Sequence, residues 1–453
     1  MLITTLGVSR FIDECSFGSV QLRVLVICML IAAVEGFDAQ AIGYIAPTLS
    51  TDWHLRPGAL GPLFSSGLVG LTIGALFIAP LADRVGRRPI LLGSLLVFGV
   101  ATLVTAMSPN LMILTILRFV TGLGLGGAMP NGIALTSEFM PRKHRAFLVI
   151  MMFNGFNLGS MLGGIISAQF VGTLGWRAVF VVGGVLPLLV AVAVFVSLPE
   201  SIAFLAVRST SIARITRLLQ RMDPNRPIRD GDWTVGEEAT RPVVNIAVRE
   251  LFTHGRAGTT LLLWVIFFMS LLDIYLLVSW LPTALNAGGA PVGTAITAGI
   301  VLQLGSVVGC FPLGWALDRF GATIAMSCAY ILGALCIACI GTFSSNVPVL
   351  LFVTFGAGFG LVAAQAAANA LASTSYPTAV RSTGVGWANG IGRIGSIIGP
   401  LLGGAFMAAS VSIQNLFLFA AVPATVAVVA LVTLGMSISR QNALRARAAT
   451  PFP

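Results

Sequence analysis

Charge is what this sequence has least of. Asp, Glu, Lys and Arg together make up 9% of the 453 residues, where a soluble globular chain carries roughly 25%. Water is therefore excluded as the main solvent of its surface. Histidine is almost as scarce: His54, His144 and His254 are scattered through polar gaps and suggest no metal site. Cys28, Cys310, Cys328, Cys336 and Cys339 fall in apolar stretches and Cys15 in the N-terminal segment. Without metal-ligand spacing they read as small hydrophobes. No phosphate-cradling GxxxxGK[ST] loop is present, so transport driven by ATP in the chain itself is excluded. No histidine lies in an apolar stretch and no nucleophile–base pair stands out, which argues against an intramembrane enzyme. No cofactor is expected.

What is present is apolar sequence, 57% of the chain. About 20 such residues cross a ~30 Å hydrocarbon core, and stretches of that length recur near 24–48, 60–80, 89–108, 111–136, 146–171 and 178–198, then near 259–285, 292–313, 322–342, 347–372, 383–406 and 413–436. The pattern predicts an all-α membrane protein of about twelve transmembrane helices in two six-helix halves. The expected division is a cytoplasmic N-terminal segment 1–23, an N-terminal half 24–198, a cytoplasmic linker 199–257, a C-terminal half 258–436 and a cytoplasmic tail 437–453. The first stretch is too long for a signal peptide and carries Glu35 and Asp38, so it reads as a retained helix. The net charge of +10 suggests nucleic acid until its distribution is inspected. With the N-terminus inside, all 26 Lys and Arg fall in cytoplasmic segments except Arg56, Arg118, Arg177 and Arg393. That is the positive-inside asymmetry, and no nucleic-acid partner is expected. The linker reads as a solvated connector containing Pro224, Pro227 and Pro242, with a short amphipathic helix near 203–221 where Ile202, Leu205, Ile212, Ile215 and Leu218 lie among arginines.

The halves repeat one design. APLADRVGRR at 79–88 aligns with GWALDRFGAT at 314–323, and the same offset of 235 matches Pro47 with Pro282 and Asp38 with Asp273. Farther on, Phe119-Val120-Thr121 recurs as Phe352-Val353-Thr354, Pro141 as Pro377, Arg145 as Arg381, and Gly163-Gly164 as Gly403-Gly404. Six helices per half gives both repeats the same topology, related by an axis along the membrane normal. In the 79–91 loop, glycine permits close approach of helix ends and Asp83 is placed to bond a neighbouring helix N-terminus. Arg84, Arg87 and Arg88 hold the turn on the cytoplasmic side.

This loop and its copy, with RFVTGLGLGG at 118–127, resemble the major facilitator superfamily. EGFDAQAIGYIAPTL at 35–49, GGAMPNGIALTSEFMP at 126–141 and GVGWANGIGRIGSIIGPLLGG at 384–404 narrow the resemblance to the aromatic acid:proton symporter family. They run in order along nearly the whole chain. Ala79 stands where the superfamily usually has glycine, although Gly314 restores it in the second copy, and Glu35 replaces the Asp of many members. The resemblance implies inward transport of benzoate-, hydroxybenzoate- or phenylpropionate-type anions with protons, by alternating access, in a bacterial inner membrane. Both termini would be cytoplasmic, with no obligatory protein partner. Drug/proton antiporters place Gly-Pro in the fifth helix; here that ladder reads GFNLGSMLGG, with Ser160 at the proline position, and the proline appears in GSIIGPLLGG of the eleventh. A carrier of a non-aromatic organic anion, a proton-coupled exporter and a sensing receptor stay open.

Ionisable side chains near a helix centre cost roughly 2.5–3.5 kcal/mol each. Glu35, Asp38, Arg118, Asp273 and Arg393 should therefore be paired or face a cavity. At 1.5 Å per residue, Asp38 and Arg118 lie ~15 and ~11 Å from the outer ends of their helices, at similar depth, and an ion pair is expected. Asp38, Glu35 and Asp273 are the candidates for proton coupling. Asp273 enters through the repeat alone, which leaves it either as a second proton site on a water-lined cavity opposite Asp38 or in a helix-packing role. Arg118, Arg393, Asn131, Gln365, Asn369 and Asn389 are the candidates for the substrate: a guanidinium grips a carboxylate, and the amides orient a ring hydroxyl or bond between helices. Asp83, Arg84, Gly86, Arg87, Arg88, Glu138, Asp318 and Arg319 are the candidate gating residues, with Glu138 expected against the loop arginines.

Overall fold

Twelve helices long and apolar enough to span a membrane account for most of the chain in the computed structural model, which describes residues 6–15, 17–56, 58–207, 212–223, 233–234, 248–253, 255–377 and 380–449. They are α1 (Ser19–Asp52), α2 (Leu60–Val85), α3 (Arg87–Thr105), α4 (Leu111–Phe139), α5 (Arg142–Phe170) and α6 (Trp176–Ser197), then α7 (Ala257–Ala287), α8 (Val292–Phe320), α9 (Ala322–Thr342), α10 (Val347–Ser375), α11 (Thr383–Ala408) and α12 (Ile413–Ser437). Each apolar stretch of the sequence became a helix because a buried or lipid-facing backbone must satisfy its own hydrogen bonds. His254, Pro224, Pro227 and Pro242 lie outside the described residues.

The repeat is visible in how helices begin and end. Asn110 caps α4 by accepting from the Ile113 amide at 3.0 Å, and Asn346, at offset 236, caps α10 by accepting from Val349 at 3.4 Å. Gly86 and Gly321, at offset 235, both hold positive φ (109° and 82°) between consecutive helices. A side chain there would be strained. Gly314 differs from expectation: a Cβ at that position would meet nothing within 4 Å, so it mediates no close approach.

Two compact units result. The first holds residues 1–41, 66–163 and 174–244, the second 42–65, 164–173 and 245–453. In the first, Leu91, Leu95 and Phe98 of α3, Leu125 and Phe139 of α4 and Val190 and Val194 of α6 form the core. The glycine ladder of α5 lies on α1: a Cβ at Gly155 or Gly159 would strike the carbonyl of Met29 or Ala33, and Ser160 Oγ donates to Gly36 O at 3.0 Å. Small residues let the backbones touch, and the Ser160 bond fixes α1 one residue from Glu35. In the second unit, Leu263 and Phe267 of α7, Met326 and Tyr330 of α9, Leu361 of α10 and Phe417 and Leu431 of α12 are buried together. Trp280 Nε1 donates to Pro400 O at 2.9 Å, its ring meets Phe64 edge-on at 5.2 Å, and Ser65 Oγ donates to Ile397 O at 2.8 Å. A π-helical turn at Gly358–Val362 interrupts α10 where Gly358 lies against the Leu302 carbonyl of α8.

The linker is more than the solvated connector expected. Helix Ile212–Met222 buries Ile215, Leu218, Leu219 and Met222 in the first unit's core beside Phe11, Ile12 and Cys15. Cys15 Sγ contacts Met222 O at 3.5 Å, and strands β1 (Leu6–Gly7) and β2 (Trp233–Thr234) pair in parallel. Of the apolar side chains that suggested amphipathicity, Ile202, Ile215 and Leu218 are buried in this core and Leu205 packs against it.

Candidate functional site

An ion pair lies at the centre of the first unit. Arg118 of α4 and Asp38 of α1 are 4% and 5% exposed, and one nitrogen, Arg118 Nη1, donates to both Asp38 oxygens at 2.9 and 3.0 Å. Nη2 donates to Thr102 Oγ1 of α3 at 3.2 Å and Thr121 Oγ1 at 3.1 Å, and the guanidinium carbon stands 5.0 Å from the Phe180 ring centroid of α6. Arg118 Nε has no acceptor. The two hydroxyls and the ring contact the cation on the sides that Asp38 leaves open. Glu35, one turn before Asp38, is also buried. Thr102, Thr121 and Phe180 were not singled out from the sequence; Thr121, lying three residues after Arg118 and hence on its face, carried a usable signal.

Asp273 of α7 is not where the repeat argument expected it. Its side chain is fully buried at 0% exposure, inside the second unit, beside Tyr330 of α9 and the Ala424 backbone of α12. Neither carboxyl oxygen has a hydrogen-bond donor at bonding geometry; the Ala424 backbone is the polar group directed at it. Tyr330 OH bonds Ser270 Oγ at 2.8 Å instead. The placement on a water-lined cavity is therefore corrected: the carboxyl is packed between α7, α9 and α12 of one unit.

Helices α10 and α11 carry the other polar candidates as facing stripes. Asn389 Nδ2 donates to Asn369 Oδ1 at 2.9 Å and to Val385 O at 3.0 Å. Gln365 precedes Asn369 by four residues and Arg393 follows Asn389 by four. Successive spanning helices run antiparallel, so one turn along from the asparagine pair Gln365 and Arg393 share a level. Gln365 Oε1 is buried without a donor, and half-buried Arg393 forms no hydrogen bond or ion pair through its side chain to a described residue. Asn131 behaves differently: its Nδ2 donates to Gly127 O at 2.8 Å and Ala79 O at 3.3 Å, tying α4 to the end of α2.

At the loop end of the first unit, Arg87 Nη2 lies 2.7 Å from Glu138 Oε1, while Glu138 Oε2 accepts from Ser201 Oγ at 2.6 Å. The acid at the α3 N-terminus is not Asp83. Glu200 Oε1 accepts from the backbone amides of Arg87 and Arg88 at 2.8 and 3.2 Å, and Asp83 is exposed. Glu200 reaches the helix end from beyond α6 because Gly86 has no Cβ, which would lie 2.6 Å from Glu200 Oε2. Neither Glu200 nor Ser201 was found from the sequence; Ser201, just before helix Ile202–Val207 and accepting from the Phe204 amide through Oγ, carried a capping signal. Arg84 lies beside Asp83 on the same short turn, Ala82–Val85, and Arg88 bonds the Phe195 carbonyl of α6. In the second unit Asp318 is exposed and Arg319 lies 5.8 Å from the Trp315 ring centroid.

The sequence profile of the Major Facilitator Superfamily matches residues 28–311 and 263–451, and the chain belongs to that family. It is a multi-pass membrane transporter rather than an enzyme. It is 39% identical over 436 residues to the 4-hydroxybenzoate transporter PcaK of Pseudomonas putida, covering 95% of this chain and 96% of that protein. It is 40% identical over 430 residues to the gallate transporter of Pseudomonas putida, covering 95% of each. Among solved structures, the partially occluded inward-open xylose transporter XylE of E. coli superposes with a TM-score of 0.72 over 91% of this chain and 97% of that one, at 16% identity, a likeness of fold.

Proposed function

We propose that this protein imports aromatic carboxylates of the benzoate, hydroxybenzoate or phenylpropionate type, with protons, across a bacterial inner membrane by alternating access. The observation that carries the coupling is the buried Asp38–Arg118 pair. Protonating Asp38 removes the charge that holds Arg118 on one side, and the pair then has two states that differ by one proton. Glu35 stands one turn away as an alternative acceptor. Asp273 is left out of the proposed proton path, because its carboxyl is packed inside one unit beside Tyr330 and the Ala424 backbone.

The substrate class rests on the relatives, whose names include 4-hydroxybenzoate and gallate. Within this chain it is supported by Arg393 and Gln365 Oε1, a cation and an acceptor without partners among the described residues, at one level of α10 and α11. A planar guanidinium suits a carboxylate, while Gln365, Asn369 and Asn389 suit ring hydroxyls. Arg118, held by Asp38, comes second for the substrate, and Asn131, spent on backbone carbonyls, serves helix packing. The distribution of Arg and Lys supports cytoplasmic termini. On that side Arg87 and Glu138, with Asp83, Arg84, Gly86 and Arg88, and with Asp318 and Arg319 in the second repeat, form the proposed gate.

The test is uptake of radiolabelled 4-hydroxybenzoate into vesicles with and without a proton gradient. Asp38→Asn should insert normally yet lose gradient-driven accumulation; full accumulation would remove Asp38 from the mechanism. Arg393→Lys keeps the charge and loses the fork, so the half-saturation concentration should rise about tenfold or more, the loss expected for a charge-assisted hydrogen bond. An unchanged value would move the carboxylate to Arg118.

A further inference from the structure

A groove in the first unit shares only Arg88 with the proposed gate and is otherwise unused by the transport reading. It has a volume of about 720 Å³ and lies between the α2–α3 turn, the end of α6 and helix Ile212–Met222. Four arginines line it: Arg88, Arg214, Arg217 and Arg221. The last three stand at i, i+3 and i+7 of one helix, hence on one face, opposite the face that Ile215, Leu219 and Met222 bury. Docking of the apolar face fixes where the basic face points.

Like charges at this spacing repel, and within the described residues nothing neutralises them. None of the four arginines forms an ion pair there. Arg88 is turned to the Phe195 carbonyl and Arg217 Nε to Ala213 O at 3.0 Å. The carboxylate in the groove, Glu200, has its Oε1 committed to the amides of Arg87, Arg88 and Ser201. Among the described residues the groove therefore sets four arginines against one carboxylate, an excess of positive charge that suits an anion.

The rest of the lining says what kind of anion. Val85, Leu92 and Phe195 form apolar walls, and Phe195 continues into Val192 and Val196, which are 60% and 73% exposed on a spanning helix. Such a face lies against acyl chains. The groove thus joins a basic floor at the membrane end to a lipid-facing wall, the two chemistries of one amphiphile. We propose that this groove binds the phosphate headgroup of an anionic phospholipid, with Arg214, Arg217 and Arg221 on the phosphodiester and an acyl chain along Phe195. Basic pockets at the ends of spanning helices suit such headgroups. The lipid would tie the linker helix to the α2–α3 turn, beside Arg87 and Glu138.

The experiment is native mass spectrometry of the full-length protein in detergent, titrated with phosphatidylglycerol, with phosphatidylcholine of the same chains, or with inorganic phosphate. Phosphatidylglycerol should bind about tenfold more tightly than phosphatidylcholine, which is about 1.4 kcal/mol. Arg214→Gln/Arg217→Gln/Arg221→Gln should reduce the preference to about twofold or less while melting as the wild type does without lipid. Should the triple variant fail to fold, the single charge reversal Arg217→Glu, on an exposed position, should still lower the preference. The proposal is overturned if the wild type shows no preference, if folded variants keep it, or if millimolar inorganic phosphate displaces the lipid, which would make this a free-phosphate site.

Discussion

Asp38 and Asp273 hold matching places in the repeat, yet one ends on an arginine and the other on packing. Asp38 of α1 meets Arg118 of α4, which Thr102 of α3 and Phe180 of α6 hold in turn. Asp273 of α7 meets Tyr330 of α9 and the Ala424 backbone of α12, the counterparts of α3 and α6. What is missing is the α10 counterpart of Arg118: the Phe-Val-Thr repeat, at offset 233, puts Leu351 there. The ladders diverge likewise. Gly155, Gly159 and Ser160 of α5 correspond to Gly395, Gly399 and Pro400 of α11 at offset 240, but Ser160 donates to the α1 backbone whereas the Pro400 carbonyl accepts from Trp280 of α7. Duplication kept the frame, and single residues decide which half carries a chargeable pair.

The comparison breaks hardest at Arg118. Arg118→Ala strands Asp38 buried and charged, so the variant should lose about 3–5 kcal/mol and all transport. Arg118→Ala/Asp38→Asn, which resembles the second half in having no charged pair, should regain most of the melting temperature and no transport. Additive melting losses in detergent would show that the two side chains do not depend on each other.

A smaller effect is expected at Ser160. Ser160→Ala removes one hydrogen bond inside a glycine contact that remains, and side-chain bonds between membrane helices average about 0.6 kcal/mol. The melting temperature should fall slightly and uptake slow without losing its proton dependence, because α1 keeps its glycine contacts with α5. A variant that melts normally but accumulates nothing would instead place Ser160 in the transport path.

The twelve helices, the repeat and the Asp38–Arg118 pair were legible because each follows from length, spacing or cost: 20 apolar residues, an offset of 235, two charges at similar depth. The Arg87–Glu138 contact followed from opposite charges at two ends of adjacent apolar runs. Three things were not legible. Glu200, rather than Asp83, serves the α3 N-terminus, since which acid reaches a helix end depends on the path of a chain 113 residues away from Arg87. Gly314 matched a motif without making the contact the motif implies. Asp273 was assigned a cavity because alignment transfers position along a helix but not the partner in the facing helix; the identity of residue 351 was the missing clue.

The mildest variant discriminates best between the halves. Asp273→Asn replaces a buried acid, for which no cation is in place, by a neutral group of the same shape. If the carboxyl is already neutral, the change removes no charge and breaks no ion pair. Leaving both partners of an interaction uncharged and shape-matched is close to neutral for stability, so the shift in melting temperature should not exceed that of Ser160→Ala. Proton-driven accumulation of 4-hydroxybenzoate should stay within about twofold of the wild type, a change of about 0.4 kcal/mol, with the same dependence on external pH. Asp38→Asn, the same chemical change at the matching position, should abolish it. Equal losses from the two substitutions would mean that Asp273 exchanges a proton after all, and that the path to it opens in a state other than this one.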